Sequence, residues 1–208
     1  MSEEIGEPMQ LALEQAWESF RNGSFPVGTV LLMADQSLPS VVIEWENRRL
    51  PMADCDLRVW PTPMDVLAQL PMGDYAGHTL VTTLEPCLLC RSAATMAHVG
   101  RVEFLAADSI CNGLEALPGI NEHAKRWYPI MRGPAKGDAA DFASILPMAV
   151  LVLFGPTGDA ASHYRTHSPR EFAVADAMVR ENRWPGRELT VDAAIAHVAG
   201  FAASIVEA

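Results

Sequence analysis

Positive charge is scarce in this chain. Fifteen lysines and arginines face 26 aspartates and glutamates, giving a formal net charge of −11. The basic residues are scattered, with no run longer than Asn47-Arg48-Arg49. Polynucleotide binders neutralise phosphates with lysine and arginine, so this balance argues against nucleic acid. It favours a small uncharged or weakly anionic ligand, or a protein partner. Long apolar runs are missing too. The longest, "ILPMAVLVLF" at 145–154, is too short to cross a bilayer and reads as a buried strand. Only four cysteines are present, two of them three residues apart. That number suits metal binding or packing in a reducing compartment better than a disulfide framework. The acidic opening "MSEEIGEP" lacks the basic, apolar pattern of a signal peptide, and a cytoplasmic protein is expected.

What is present points to a globular chain. Half of the 208 residues are hydrophobic and a fifth are charged, enough to bury a proper core. Leu11, Leu13, Ala16, Trp17 and Phe20 share one stripe of a helix over 8–21, with Pro8 suited to its first turn. Strands are expected at 25–33 and 41–47, joined as an antiparallel hairpin through the turn-rich "ADQSLPS". A short helix fits 64–70. A strand at 79–84, a helix at 87–98 and a strand at 101–108 read as a right-handed parallel crossover. A polar insertion of little periodicity covers 109–144, and a fifth strand is expected at 148–155. Residues 168–182 open with Ser168-x-x-Glu171, a capping-box pattern, and 190–208 form an alanine-rich helix. The expected architecture is α/β: a five-stranded mixed sheet with helices on both faces over residues 1–157. Two extra C-terminal helices over 158–208 pack on it.

The loudest phrase is "TTLEPCLLCRSA" at 82–93. Cys87 and Cys90, in the first turn of a helix, point one way at a positive helix end, which favours thiolates and suits zinc. "FPVGTVLL", "EWENRR" and "TLVTTLEPCLLCRSAATMAHVGRVEF" together resemble the cytidine deaminase superfamily. They are most similar to its nucleobase and tRNA adenosine deaminase branch, and the likeness covers roughly residues 8 to 155. The resemblance implies the three-layer α/β/α deaminase fold. It also implies a zinc held by the Cys-x-x-Cys pair and by a His or Cys of a His-x-Glu motif, whose Glu shuttles protons. Three protein ligands leave the fourth zinc position for an activated water.

The second half of that site is missing. No histidine occurs in 1–77, yet the motif belongs before the strand at 79–84. One register puts Pro61, Thr62 and Pro63 in its place, with Thr62 a good N-cap and Pro63 a good first helical residue. A second slides to Pro63-Met64-Asp65 and offers a carboxylate without a ligand. A third uses Cys55-Asp56-Leu57, a thiol without a glutamate, on a helix that would meet Pro61 and Pro63. The candidate residues are therefore Cys87 and Cys90 as a residual metal pair, with Cys55 or Cys111 as a third ligand. Asp65 and Glu85 are candidate catalytic carboxylates, each set against a structural role as helix-start carboxylate or family scaffold. Asn47, Phe25 and Asp108 are candidate substrate contacts. The histidines after residue 78 have no mutual metal spacing. The sequence reads as a divergent deaminase-family protein with a degraded zinc and proton-shuttle motif. It would bind a nucleobase-like heterocycle or a partner, with zinc at low occupancy. Altered chemistry in the same pocket, or a rebuilt zinc site, is the alternative. A homodimer or pairing with an active deaminase is expected, with no membrane contact.

Overall fold

The structure is a computed structural model, which describes residues 5–32 and 75–206. Helix α1 (Glu7–Arg21) leads into strand β1 (Thr29–Leu32). Strand β2 (Thr79–Leu84), helix α2 (Leu88–Met96) and strand β3 (Arg101–Ala106) follow. Two 3-10 turns, Ser109–Cys111 and Leu114–Gly119, precede α3 (Glu122–Trp127) and β4 (Ile130–Arg132). The chain closes with α4 (Asp138–Phe154), α5 (Asp159–His167), α6 (Pro169–Arg180) and α7 (Val191–Val206). The described strands form one mixed sheet in the order β1-β2-β3-β4. β1 runs antiparallel to β2, with Val30 opposite Val81; β2, β3 and β4 are parallel.

Alternation along the strands decides what covers each face. Val30 and Val81 pack with Ala12 of α1. Leu31, Leu80 and Val102 point the other way and pack with Ala94 of α2 and Val99. Leu80 to Leu84 of β2 are all buried, Thr82 and Thr83 included, as expected of a strand covered on both faces. On α1 Leu13, Ala16, Trp17 and Phe20 of the expected stripe are buried, Leu11 is half-buried, and Pro8 lies in the first turn. Gly28 enters β1 against that helix so closely that a Cβ there would lie 1.8 Å from the carbonyl oxygen of Ala12.

Four expectations fail. Residues 148–155 are not a strand, because the apolar run is the second half of α4, a 17-residue helix with 11 buried positions. A helix buried nearly all round shows no amphipathic period, and a continuous apolar run does not distinguish it from a buried strand. Asp138 and Asp141 in its first turn mark the start favoured by the helix dipole. Residues 109–144 are ordered into two turns, α3, β4 and the start of α4. Three helices, not two, follow residue 157, since Asp159–His167 is helical as well. Ser168 also forms no capping box; its side chain makes no cap hydrogen bond. The expected strand at 41–47 and helix at 64–70 lie outside the described residues.

Helix α4 is the hub of the largest core. It packs on α6, α7, α5, β3 and β2, and its Phe142, Ile145 and Leu146 join Trp17, Leu84, Leu105, Phe172, Met178 and Val198 in one buried cluster. Among the described residues no helix is long and apolar enough to cross a membrane.

Candidate functional site

The carboxyl ends of β2 and β3 carry the chemistry-bearing residues. β2 ends at Leu84, and Glu85-Pro86 turn the chain into α2. Cys87 is the N-cap of α2, and its sulfur accepts the N–H of Cys90 at 3.4 Å. The two sulfurs lie 2.8 Å apart, Cys87 half-buried and Cys90 buried. The thiol of Cys90 donating to the sulfur of Cys87 lowers the Cys87 pKa, to about 6, against the opposing effect of burial. The same bond and then burial push Cys90 upward. The shared hydrogen bond thus favours a thiolate on the more exposed sulfur over one on Cys90.

Glu85 is held from two sides. One carboxylate oxygen pairs with the guanidinium of Arg91, and Oε2 accepts the N–H of Asp108 at 3.1 Å. Arg91, 4% exposed, also donates to the carbonyl of Pro86 at 2.9 Å and to the hydroxyl of Tyr128 at 3.0 Å. That hydroxyl in turn reaches the carbonyl of Leu114 at 3.4 Å. The described contacts of Glu85 are those of a scaffold carboxylate, tying the Cys87 turn to the chain beyond β3. Arg91 and Tyr128 carry no signal in the sequence beyond an arginine standing in a run of small helix residues.

Asp108 caps the Ser109–Cys111 turn, with Oδ1 accepting the N–H of Ile110 at 3.0 Å. The hydroxyl of Tyr164, from α5, donates to the same oxygen at 3.0 Å. Burial raises the Asp108 pKa against the effect of these two bonds. Cys111 is buried, its thiol facing the carbonyl of Glu85 at 3.6 Å. Burial pushes it up to about 12, so it stays a thiol. Phe25 is half-buried against the main core. Asn47, Cys55, Pro61, Thr62, Pro63 and Asp65 lie outside the described residues. Of the later histidines, His98 stacks on Trp127 with centroids 3.8 Å apart, and His163 lies 4.3 Å from His167 ring to ring, its buried Nε2 without a hydrogen-bond partner among the described residues.

Residues 2–106, just over half of the chain, match the cytidine and deoxycytidylate deaminase zinc-binding region. The chain belongs to that deaminase family. A cytosine deaminase of Candida albicans is 29% identical over 94 residues, 45% of this chain and 61% of the yeast protein. The chain therefore spans less than two thirds of that relative's length. A tRNA-specific adenosine deaminase of Aquifex aeolicus is 24% identical over 129 residues, 59% of this chain and 83% of that protein. A solved chain from biochemical and structural studies of A-to-I editing by tRNA:A34 deaminases aligns with a TM-score of 0.44 and 23% identity. It covers 61% of this chain and 91% of its own.

Zinc is the metal of this deaminase region. Cys87 and Cys90 supply two soft ligands at a helix start, the right chemistry for it. Two thiolates on tetrahedral zinc at bond lengths of about 2.3 Å stand about 3.8 Å apart, against 2.8 Å here. Among the described residues no group of three His, Cys, Asp or Glu is spaced to hold a metal ion. With no histidine before His78, the described donors fall short of the three-ligand set that catalytic zinc requires. No chemical step is derived through zinc for this chain.

Proposed function

We propose that this deaminase-family chain binds a nucleobase-like heterocycle at the Cys87 end of its sheet and does not carry out ordinary hydrolytic deamination. The observation that carries the reading is the absence of any histidine in residues 1–77. With it goes the His-x-Glu that the family's chemistry requires ahead of Pro86-Cys87; in the favoured register Pro61, Thr62 and Pro63 stand in its place. A positioned general acid–base contributes roughly a hundred- to ten-thousand-fold, and an incomplete ligand set also forfeits the activated water. Glu85, committed to Arg91 and the Asp108 N–H, is a poor substitute shuttle. A heterocyclic ligand is favoured by the relatives, a cytosine deaminase and a tRNA-specific adenosine deaminase. The net charge of −11 disfavours the polynucleotide version.

The fold that fits this reading is the three-layer deaminase domain over 1–157, with 158–208 as an appended helical extension. The chain would act in the cytoplasm as a homodimer or beside an active deaminase subunit. Exposed Leu88, Leu89 and Met96 on α2 give a second copy an apolar surface to cover. The competing reading, altered chemistry or a rebuilt zinc site in the same pocket, is favoured by the retained Cys87-Cys90 pair. Calorimetric titration with cytosine, adenine and guanine, run beside an ammonia-release assay on the same bases and their nucleosides, separates the two. Binding of a base without ammonia supports the proposal. Robust ammonia release that Cys87→Ala abolishes overturns it.

A further inference from the structure

The chain beyond the family match reaches back into the site. Helix α5 lies against the Ser109–Cys111 turn, and two hydrogen bonds latch it there. Tyr164, 5% exposed, donates to Oδ1 of Asp108 at 3.0 Å, and Ser168 donates to the hydroxyl of Ser109 at 2.9 Å. Asp108 stands two residues past the end of β3, and its N–H bonds the same Glu85 that leads into Cys87. Both donors to the Asp108 carboxylate, the Tyr164 hydroxyl and the Ile110 N–H, fall on Oδ1. Among the described residues no donor meets Oδ2, and Asp108 keeps part of its surface open. A carboxylate fixed at one oxygen presents the other in a set direction, as an acceptor for an N–H.

We propose that Tyr164 is a positioning residue of the ligand site. By fixing Oδ1 of Asp108 it aims Oδ2 at an N–H of the bound heterocycle. The inference rests on the reading of this sheet end as a heterocycle site, and it narrows the ligand to a small neutral ring with an N–H donor, such as the exocyclic amine of cytosine or adenine. It also gives the C-terminal extension a role in specificity. Tyr164 acts through Asp108 and touches no reacting atom.

Calorimetric titration of cytosine and adenine into wild type, Tyr164→Phe, Asp108→Ala and the double variant tests this. Tyr164→Phe keeps the buried ring but leaves the Asp108 carboxylate free to turn, so the hydrogen bond from the base to Oδ2 is poorly aimed and base binding is expected to weaken about tenfold. Asp108→Ala is expected to weaken it at least as much, and the double variant no more than Asp108→Ala alone. That non-additivity is the signature of a residue acting through another; a merely structural role for Tyr164 gives losses that multiply. Unchanged affinity in Tyr164→Phe or in Asp108→Ala, or multiplying losses, overturns the inference while base binding by the wild type stands. If the wild type binds neither base, the heterocycle reading itself fails and this inference with it.

Discussion

Replacing Arg91 by methionine should be among the most damaging single changes on this face of the sheet. Arg91 is 4% exposed and its partner Glu85 is 17% exposed, so Arg91 is shut off from bulk water and Glu85 largely so. Removing one partner of a buried pair costs about 3–5 kcal/mol, because the other charge is left uncompensated. Glu85 keeps the Asp108 N–H and some water access, which places the pair at the lower end, about 3 kcal/mol. The Pro86 carbonyl and Tyr128 hydroxyl also lose their donor, adding about 1 kcal/mol between them once water and local shifts compensate. Methionine retains the apolar stem's packing, so about 4 kcal/mol is the expected total. At about 2–4 °C per kcal/mol for a chain of this size, the melting temperature should fall by roughly 10 °C. Urea unfolding of wild type, Arg91→Met, Glu85→Gln and the double variant measures it. The double variant should be less damaged than the two singles summed, by at least about 1 kcal/mol. A loss below about 1 kcal/mol for Arg91→Met, the range of an exposed pair, would refute the reasoning.

Two further expectations concern protons. In metal-stripped protein, iodoacetamide should modify Cys87 with a half-maximal rate near pH 6, since its pKa is lowered to about 6 and the thiolate is the nucleophile. Buried Cys111, pushed up to about 12, should stay unmodified across the same range, and a Cys87 midpoint near 9 would show that the two sulfurs share no proton. Asp108→Asn should raise the melting temperature at pH 7. Burial lifts the folded pKa of Asp108 above its ordinary 3.8, so the stability it contributes is fully present below that value and is lost as pH rises through the folded one. The gain should therefore shrink towards pH 4 in melts at both pH values, and no gain at pH 7 would contradict the assignment.

The middle of the fold was legible because several signals agreed. β2 has the β-branched run, Pro86-Cys87 marks the start of α2, and left-handed His98 (φ 56°) and Gly100 mark its end. Helix α4 was misread because 145–154 buries residues on every side, which removes the period that separates helix from strand. Helix α5 was missed for the opposite reason: only Ala161 and Tyr164 are buried along it, too few to make a stripe. The Cys87-Cys90 pair and Glu85 were readable from local spacing. The groups that fix them were not, since Arg91–Tyr128 and Asp108–Tyr164 join residues 37 and 56 positions apart. Such contacts exist only once α3 and α5 have folded back on the sheet.

The central claim is that the family's fold persists here without its metal chemistry, and the zinc content of protein purified without chelators tests it most directly. Two thiols with no third ligand among the described residues should leave far less than one zinc per chain by elemental analysis. Near-stoichiometric zinc that Cys55→Ser removes would contradict the account, showing a rebuilt three-ligand site.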